Sequence, residues 1–227
     1  MIADRLAEVR SRIERAAARA GRDPSGIRIV AVTKGHPLET AQAAAAAGLA
    51  DLGENRVLEA VTKIDAWPGS PVRWHLLGHL QRNKVKHAVG RFALIHSLDS
   101  VRLADALEEA GAALDLVQDV LVEVNVSGEY QKTGCPAAEV PALLEHASGL
   151  AHLRLTGLMT MAPLTDDVAV QRRAFAGLRE LRDSLTADGR RLLTALSMGM
   201  SNDFETAIEE GSTILRLGTV LFGERPL

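Results

Sequence analysis

IRIVAVT (Ile27–Thr33) is a β-branched run bounded by Gly26 and Gly35, and PLETAQAAAAAG (Pro37–Gly48) opens with proline, closes with glycine and is mostly alanine between them. The first reads as a buried strand. The second reads as a helix, because proline presets the first helical turn and glycine ends one. Together they make one β/α unit, and the fold follows from how often that unit recurs.

Upstream, Ile2, Leu6, Val9, Ile13 and Ala17 repeat at three- and four-residue intervals, which predicts an amphipathic helix ended by Gly21 and Pro24. Downstream the alternation continues, with strands at Leu49–Gly53, Val72–Leu77 and Ala93–Ser97 and helices at Asn55–Trp67, Asn83–Val89 and Val101–Ala112. Strands at Asp119–Val126, Leu153–Met159 and Leu192–Leu196 precede helices at Ala137–Ser148, Asp167–Leu185 and Asp203–Glu210. Thr213–Leu217 is the eighth strand and leads only to the tail GTVLFGERPL. Strict alternation implies a parallel sheet, and eight repeats in 227 residues favour a closed (β/α)8 TIM barrel over an open doubly wound sheet. The last strand lacks room for a full helix, so the extra N-terminal helix is expected to cover that side. No Pro-, Gly- or Ser-rich linker separates the units, so residues 1–227 are expected to form one domain.

Composition narrows the function. With 26 Lys and Arg against 29 Asp and Glu the net charge is −3, too balanced for a nucleic-acid surface. Cys135 is the only cysteine, which excludes an intramolecular disulfide and a multi-cysteine metal site. No signal-like or membrane-spanning apolar run occurs, so a cytoplasmic protein without membrane contact is expected. His75 and His79 lack an HExxH context, and no Walker A, GxGxxG or GxSxG motif is present, so no metal or dinucleotide site is expected.

In such a barrel the chemistry belongs at the carboxyl ends of the strands. The first strand ends in Val32-Thr33-Lys34-Gly35, which puts a lysine at the mouth, where partial desolvation favours the neutral, nucleophilic amine. A solvated loop lysine is the bland alternative. The seventh and eighth strand ends, Ser197-Met198-Gly199-Met200-Ser201-Asn202 and Arg216-Leu217-Gly218-Thr219, are small and polar. They suit phosphate binding, or equally two tight turns with a helix cap at Ser201 or Asn202. Arg216 lies between Leu215 and Leu217, so it should face the barrel interior. Its partner is either a carboxylate such as Glu54 or Glu123, or a ring nitrogen or phosphate of a ligand.

AVTKG (Ala31–Gly35), GENRV (Gly53–Val57), WHLLGHLQRNK (Trp74–Lys84), GLMTMAP (Gly157–Pro163) and the closing SMGMSNDFETAIEEGSTILRLGTVLFGERP together resemble the pyridoxal phosphate homeostasis protein family. These motifs span nearly the whole chain. The resemblance implies a barrel related to the N-terminal domain of alanine racemases, binding pyridoxal 5′-phosphate (PLP) without established turnover. It makes Lys34 the Schiff-base lysine, places the phosphate among Ser197, Gly199, Gly218 and Thr219, and turns Arg216 to the pyridine nitrogen. Asn55, His75 and Met159 would line the cofactor. Leu77, His79 and Leu217 sit at positions where the family varies.

The implied role is vitamin B6 homeostasis: a monomer that holds PLP and buffers it or delivers it to apo-enzymes, with Lys132 a candidate relay. The enzymatic alternative is an alanine-racemase-like amino-acid racemase. It would need a second base, which alanine racemases take from a tyrosine of an additional β domain; the tyrosine available here is Tyr130. A third reading is a barrel that binds a sugar phosphate and holds no PLP.

Overall fold

The computed structural model describes residues 1–126, 133–187 and 192–224. Eight parallel strands close into a barrel: β1 (Arg28–Val32), β2 (Asp51–Glu54), β3 (Arg73–Leu76), β4 (Leu94–Leu98), β5 (Gln118–Asn125), β7 (Leu153–Met159), β8 (Ala195–Ser197) and β9 (Ile214–Leu217). The order around the barrel is β4-β3-β2-β1-β9-β8-β7-β5, and pairing of β4 with β5 closes it. A two-residue strand, β6 (Cys135–Pro136), lies beside the end of β5 outside this ring. The expected (β/α)8 barrel is therefore the architecture found.

Helices cover the outside: α1 (Ile2–Arg19), α2 (Leu38–Ala46), α3 (Val57–Ala66), α4 (Val85–Ala88), α5 (Val101–Leu114), α6 (Val140–Ser148), α7 (Val168–Thr186), α8 (Phe204–Glu209) and α9 (Thr219–Phe222). Besides the unforeseen β6, two elements depart from the sequence reading. The tail carries the short helix α9, which the brevity of the segment concealed. And β8 begins at Ala195, with Leu192 lying outside the sheet, exposed to solvent.

Side-chain alternation along the strands divides the interior into two apolar layers. Leu52, Leu76, Leu98, Leu158, Leu215 and Leu217 point outward and pack under the helices. Val30, Val32, Leu77, Leu94, Leu121, Met159 and Ile214 fill the lumen. Helix α1 buries Leu6, Val9, Ile13, Ala16 and Ala17 against α8 and α9, so it does cover the last units. Arg12 clamps it with a two-pronged bond to Glu205 (3.2 and 3.0 Å), and Arg22 donates to the carbonyls of Ile208 and Ser212. Where β7 meets β8, a Cβ on Gly157 would stand 1.9 Å from the Ala195 carbonyl oxygen, so only glycine lets these backbones pair. No helix of the described residues is long and apolar enough to cross a membrane.

Candidate functional site at the barrel mouth

A cavity of about 290 Å³ opens at the carboxyl ends of the strands, at the lower edge of the ~300–1,000 Å³ typical of small-molecule sites. Its wall includes Lys34 after β1, Asn55 after β2, Leu77 after β3 and Gly218-Thr219 after β9, with Arg216 in the floor. These five polar or backbone positions, Lys34, Asn55, Arg216, Gly218 and Thr219, are brought together from distant parts of the sequence by strand order alone.

Lys34 stands on a braced loop. Behind it, on the outer side of the sheet, Thr33 Oγ1 donates to Glu54 Oε1 (2.6 Å). Lys63 of α3 donates to the same oxygen (2.6 Å) and to the Thr33 carbonyl (2.9 Å). Glu54 thus serves Lys63 rather than Arg216, because its position on β2 turns it toward the helices. Burial pushes its carboxyl above the ordinary range, with the Lys63 and Thr33 bonds opposing that shift.

Arg216 is 5% exposed. Its Nη1 donates to Ser197 Oγ (2.8 Å) and its Nη2 to the Thr160 carbonyl (2.9 Å). Burial lowers its pKa to about 10, opposed by the charges of Asp203 and Glu123. Both hydrogen-bond partners are uncharged, so the guanidinium keeps its positive charge available to whatever fills the cavity.

Of the remaining predicted residues, Ser197, His75 and Met159 lie lower in the barrel, and Gly199 lies beyond the end of β8. Ser197 is fully buried, its hydroxyl shared between Arg216 and His96 Nδ1 (2.9 Å). His75 is held between Asp51 Oδ1 (2.9 Å) and His96 Nε2 (3.0 Å). Met159 belongs to the apolar filling of the lumen, since strand parity turns it inward beneath the mouth. Gly199 has φ +95° and packs under α8, where a Cβ would lie 2.6 Å from that of Ala207. Its glycine is required by helix packing, whereas a Cβ on Gly218 would meet only ordinary contacts with Val32 at 3.5 Å. Tyr130 and Lys132 lie outside the described residues.

Ser201 lines the cavity wall, although in the sequence it stood out only as part of a small polar run suited to phosphate or as a helix cap, not as a ligand residue by itself. Its Oγ accepts from the Gly218 and Val220 amides at 3.3 Å each, so one oxygen already rests on paired backbone donors. Asp203 Oδ1 accepts from the Met200 amide (2.6 Å) and fixes the same loop. The far wall, Met161 to Asp166 and Gln171, comes from the β7–α7 connection and the start of α7; the GLMTMAP motif reaches it only as far as Pro163, and no residue of that wall was singled out as lining a site. Among the described residues no cluster of His, Cys, Asp and Glu has the makings of a metal site.

The chain is 44% identical over 222 residues to the pyridoxal phosphate homeostasis protein of Aquifex aeolicus, covering 98% of this chain and 97% of that one. This chain belongs to the pyridoxal phosphate homeostasis protein family. The family member of Pseudomonas aeruginosa is 43% identical over 99% of this chain and 96% of its own length. Residues 5–226 match the family model described as alanine racemase, N-terminal domain. Among solved structures, PipY of Synechococcus elongatus PCC7942 with PLP bound superposes with a TM-score of 0.85 at 36% identity, covering 98% of this chain and 100% of PipY.

Proposed function

We propose that residues 1–227 act as one PLP-binding unit, a monomer in vitamin B6 homeostasis that holds PLP and buffers it or delivers it to apo-enzymes. One observation carries this reading: a primary amine, a buried guanidinium and an oxygen seated on paired backbone amides surround a single cavity. When bound, PLP supplies an aldehyde that condenses with a primary amine to a Schiff base, releasing water. Lys34 provides that amine. Ser201, Gly218 and Thr219 hold the phosphate, the Ser201 hydroxyl, its oxygen seated on the amides of Gly218 and Val220, donating its hydrogen to a phosphate oxygen. Arg216 meets the pyridine nitrogen and Asn55 lines the cavity beside the ring. Ser197, His75 and Met159 support this set from beneath, and Gly199 does so from the loop beyond β8.

The same arrangement argues for holding rather than turnover. A cation at the ring nitrogen disfavours its protonation, and an unprotonated ring is a weak electron sink. Incubation with L-alanine should therefore give no more D-alanine or pyruvate than free PLP gives, read by chiral chromatography. Stereospecific turnover would favour a racemase instead. The loaded protein should be yellow, and borohydride reduction followed by peptide mapping should find a stable pyridoxyl group on Lys34. A pyridoxyl group on another lysine, or none, overturns the assignment.

A further inference from the structure

Below the mouth the lumen contains a run of polar side chains that the binding of PLP does not itself require. It begins at Arg216 on β9, crosses to Ser197 on β8, spans the lumen to His96 on β4, steps to His75 on β3 and ends at Asp51 on β2. The successive separations are 2.8, 2.9, 3.0 and 2.9 Å. Every member is buried, and the two imidazole rings are 5.3 Å apart between centroids. At the far end Asp51 is gripped by Arg73 through two bonds of 2.7 Å, with Arg28 at 4.0 Å.

With both rings neutral, the chemistry of the two ends sets every hydrogen in between. A guanidinium can only donate, so Ser197 Oγ accepts from Arg216 and turns its own hydrogen to His96 Nδ1. His96 then carries its proton on Nε2 and donates to His75 Nδ1. His75 in turn carries its proton on Nε2 and donates to Asp51, which as a carboxylate can only accept. Five residues on five strands are thus joined by four hydrogen bonds that all run in one direction, from mouth to base. Burial and the neighbouring charges of His75, Arg216 and Arg28 hold His96 far below its ordinary pKa, in keeping with a neutral ring. Asp51 is held well below the ordinary carboxylate range, since its bonds to Arg73 and His75 outweigh its burial.

We propose that this one-way chain is a positioning device that couples the charge of Asp51, at the base of the barrel, to the hydrogen bond Arg216 offers in the mouth. His75 and His96 are its positioning residues. Hydrogen bonds in a chain polarise one another, so a negative charge at the accepting end strengthens each donor's hold on the next acceptor and fixes Arg216 in one orientation. The proposal rests on the reading that Arg216 meets the ring nitrogen of PLP, but its first test does not.

That test is long-range ¹H–¹⁵N NMR of the histidine rings in the PLP-free protein. Both His75 and His96 should be neutral with the proton on Nε2. A proton on Nδ1 of either ring, or an imidazolium, overturns the chain, and this arm needs no variant. The second test loads wild type and Asp51→Asn with PLP labelled with ¹⁵N in its ring. Asp51→Asn should shift the ring-nitrogen resonance while borohydride still fixes the pyridoxyl group on Lys34. Asp119→Asn is the control. It removes a carboxylate that is also paired with an arginine, Arg154 at 2.6 and 2.8 Å, at the same end of the barrel but outside the chain, and should leave the resonance unchanged. An unshifted resonance in Asp51→Asn, or equal shifts in both variants, overturns the coupling. Loss of the Lys34 adduct in wild type would instead overturn the PLP reading while leaving the histidine result intact.

Discussion

Two serines four residues apart, Ser197 at the end of β8 and Ser201 beyond it, have opposite duties, and substitution should separate them. Ser201 offers its oxygen at the cavity wall, so Ser201→Ala should weaken PLP by about 1–3 kcal/mol in a spectroscopic titration, with Thr219→Ala in the same range. Ser197 instead satisfies Arg216 and His96 in the lumen. Its replacement by alanine strips a partner from two buried groups and should lower the urea midpoint of the PLP-free protein, by about 1–3 kcal/mol in stability. Lys63→Ala should cost about 3–5 kcal/mol, because it leaves the buried Glu54 carboxylate without its cation. The sequence could show that Lys34, Ser197 and Arg216 sit at or near strand ends. It could not show which serine faces a ligand, since a difference of four residues in the SMGMS run decides between lumen and wall.

At the scale of elements, α1 behaves as the missing cover of the final β/α units. Its apolar stripe at Leu6, Val9 and Ile13 is buried against short helices that could not shield the barrel alone. Ile13→Ala should therefore destabilise the whole protein by about 2–5 kcal/mol in urea unfolding, as a core residue does. Gly157→Ala should be at least as damaging for a different reason. Its methyl group would meet the backbone of β8 and force β7 and β8 apart, which a loss of the cooperative transition or a drop in Tm would register. Long helices with clear period, such as α7, were legible from the sequence to within a residue or two. The three-residue β8 and four-residue α9 were not, because elements that short carry too few side chains to display a period.

For the molecule as a whole, two sets of buried carboxyls give stability opposite pH dependences. Glu123 is pushed above its ordinary value mainly by burial, so its protonated form suits the folded state. The stability tied to it is complete below the unfolded value of ~4.3 and is lost as pH rises through the folded one. Asp51 is the reverse: its contribution is present above ~3.9 and disappears as pH falls toward its depressed folded value. The urea midpoint of Glu123→Gln should consequently fall less than that of wild type as pH is raised from the unfolded value of ~4.3 toward neutrality. An equal fall in both proteins would show that Glu123 ionises alike folded and unfolded.

What the sequence determined by itself was the alternation of strand and helix, hence the closed parallel barrel, and the presence of reactive residue types at strand ends. Those are local properties, written in a period of two or of three to four and in the residues that stop it. The tertiary structure decided depth and direction. Strand parity and register turned Glu54 outward to Lys63, sank His75, Met159 and Ser197 beneath the mouth, and raised Ser201 to its wall. It also joined Asp51, His75, His96, Ser197 and Arg216 into one hydrogen-bonded chain. No local pattern can encode that chain, because its links exist only once β2, β3, β4, β8 and β9 enclose a common lumen.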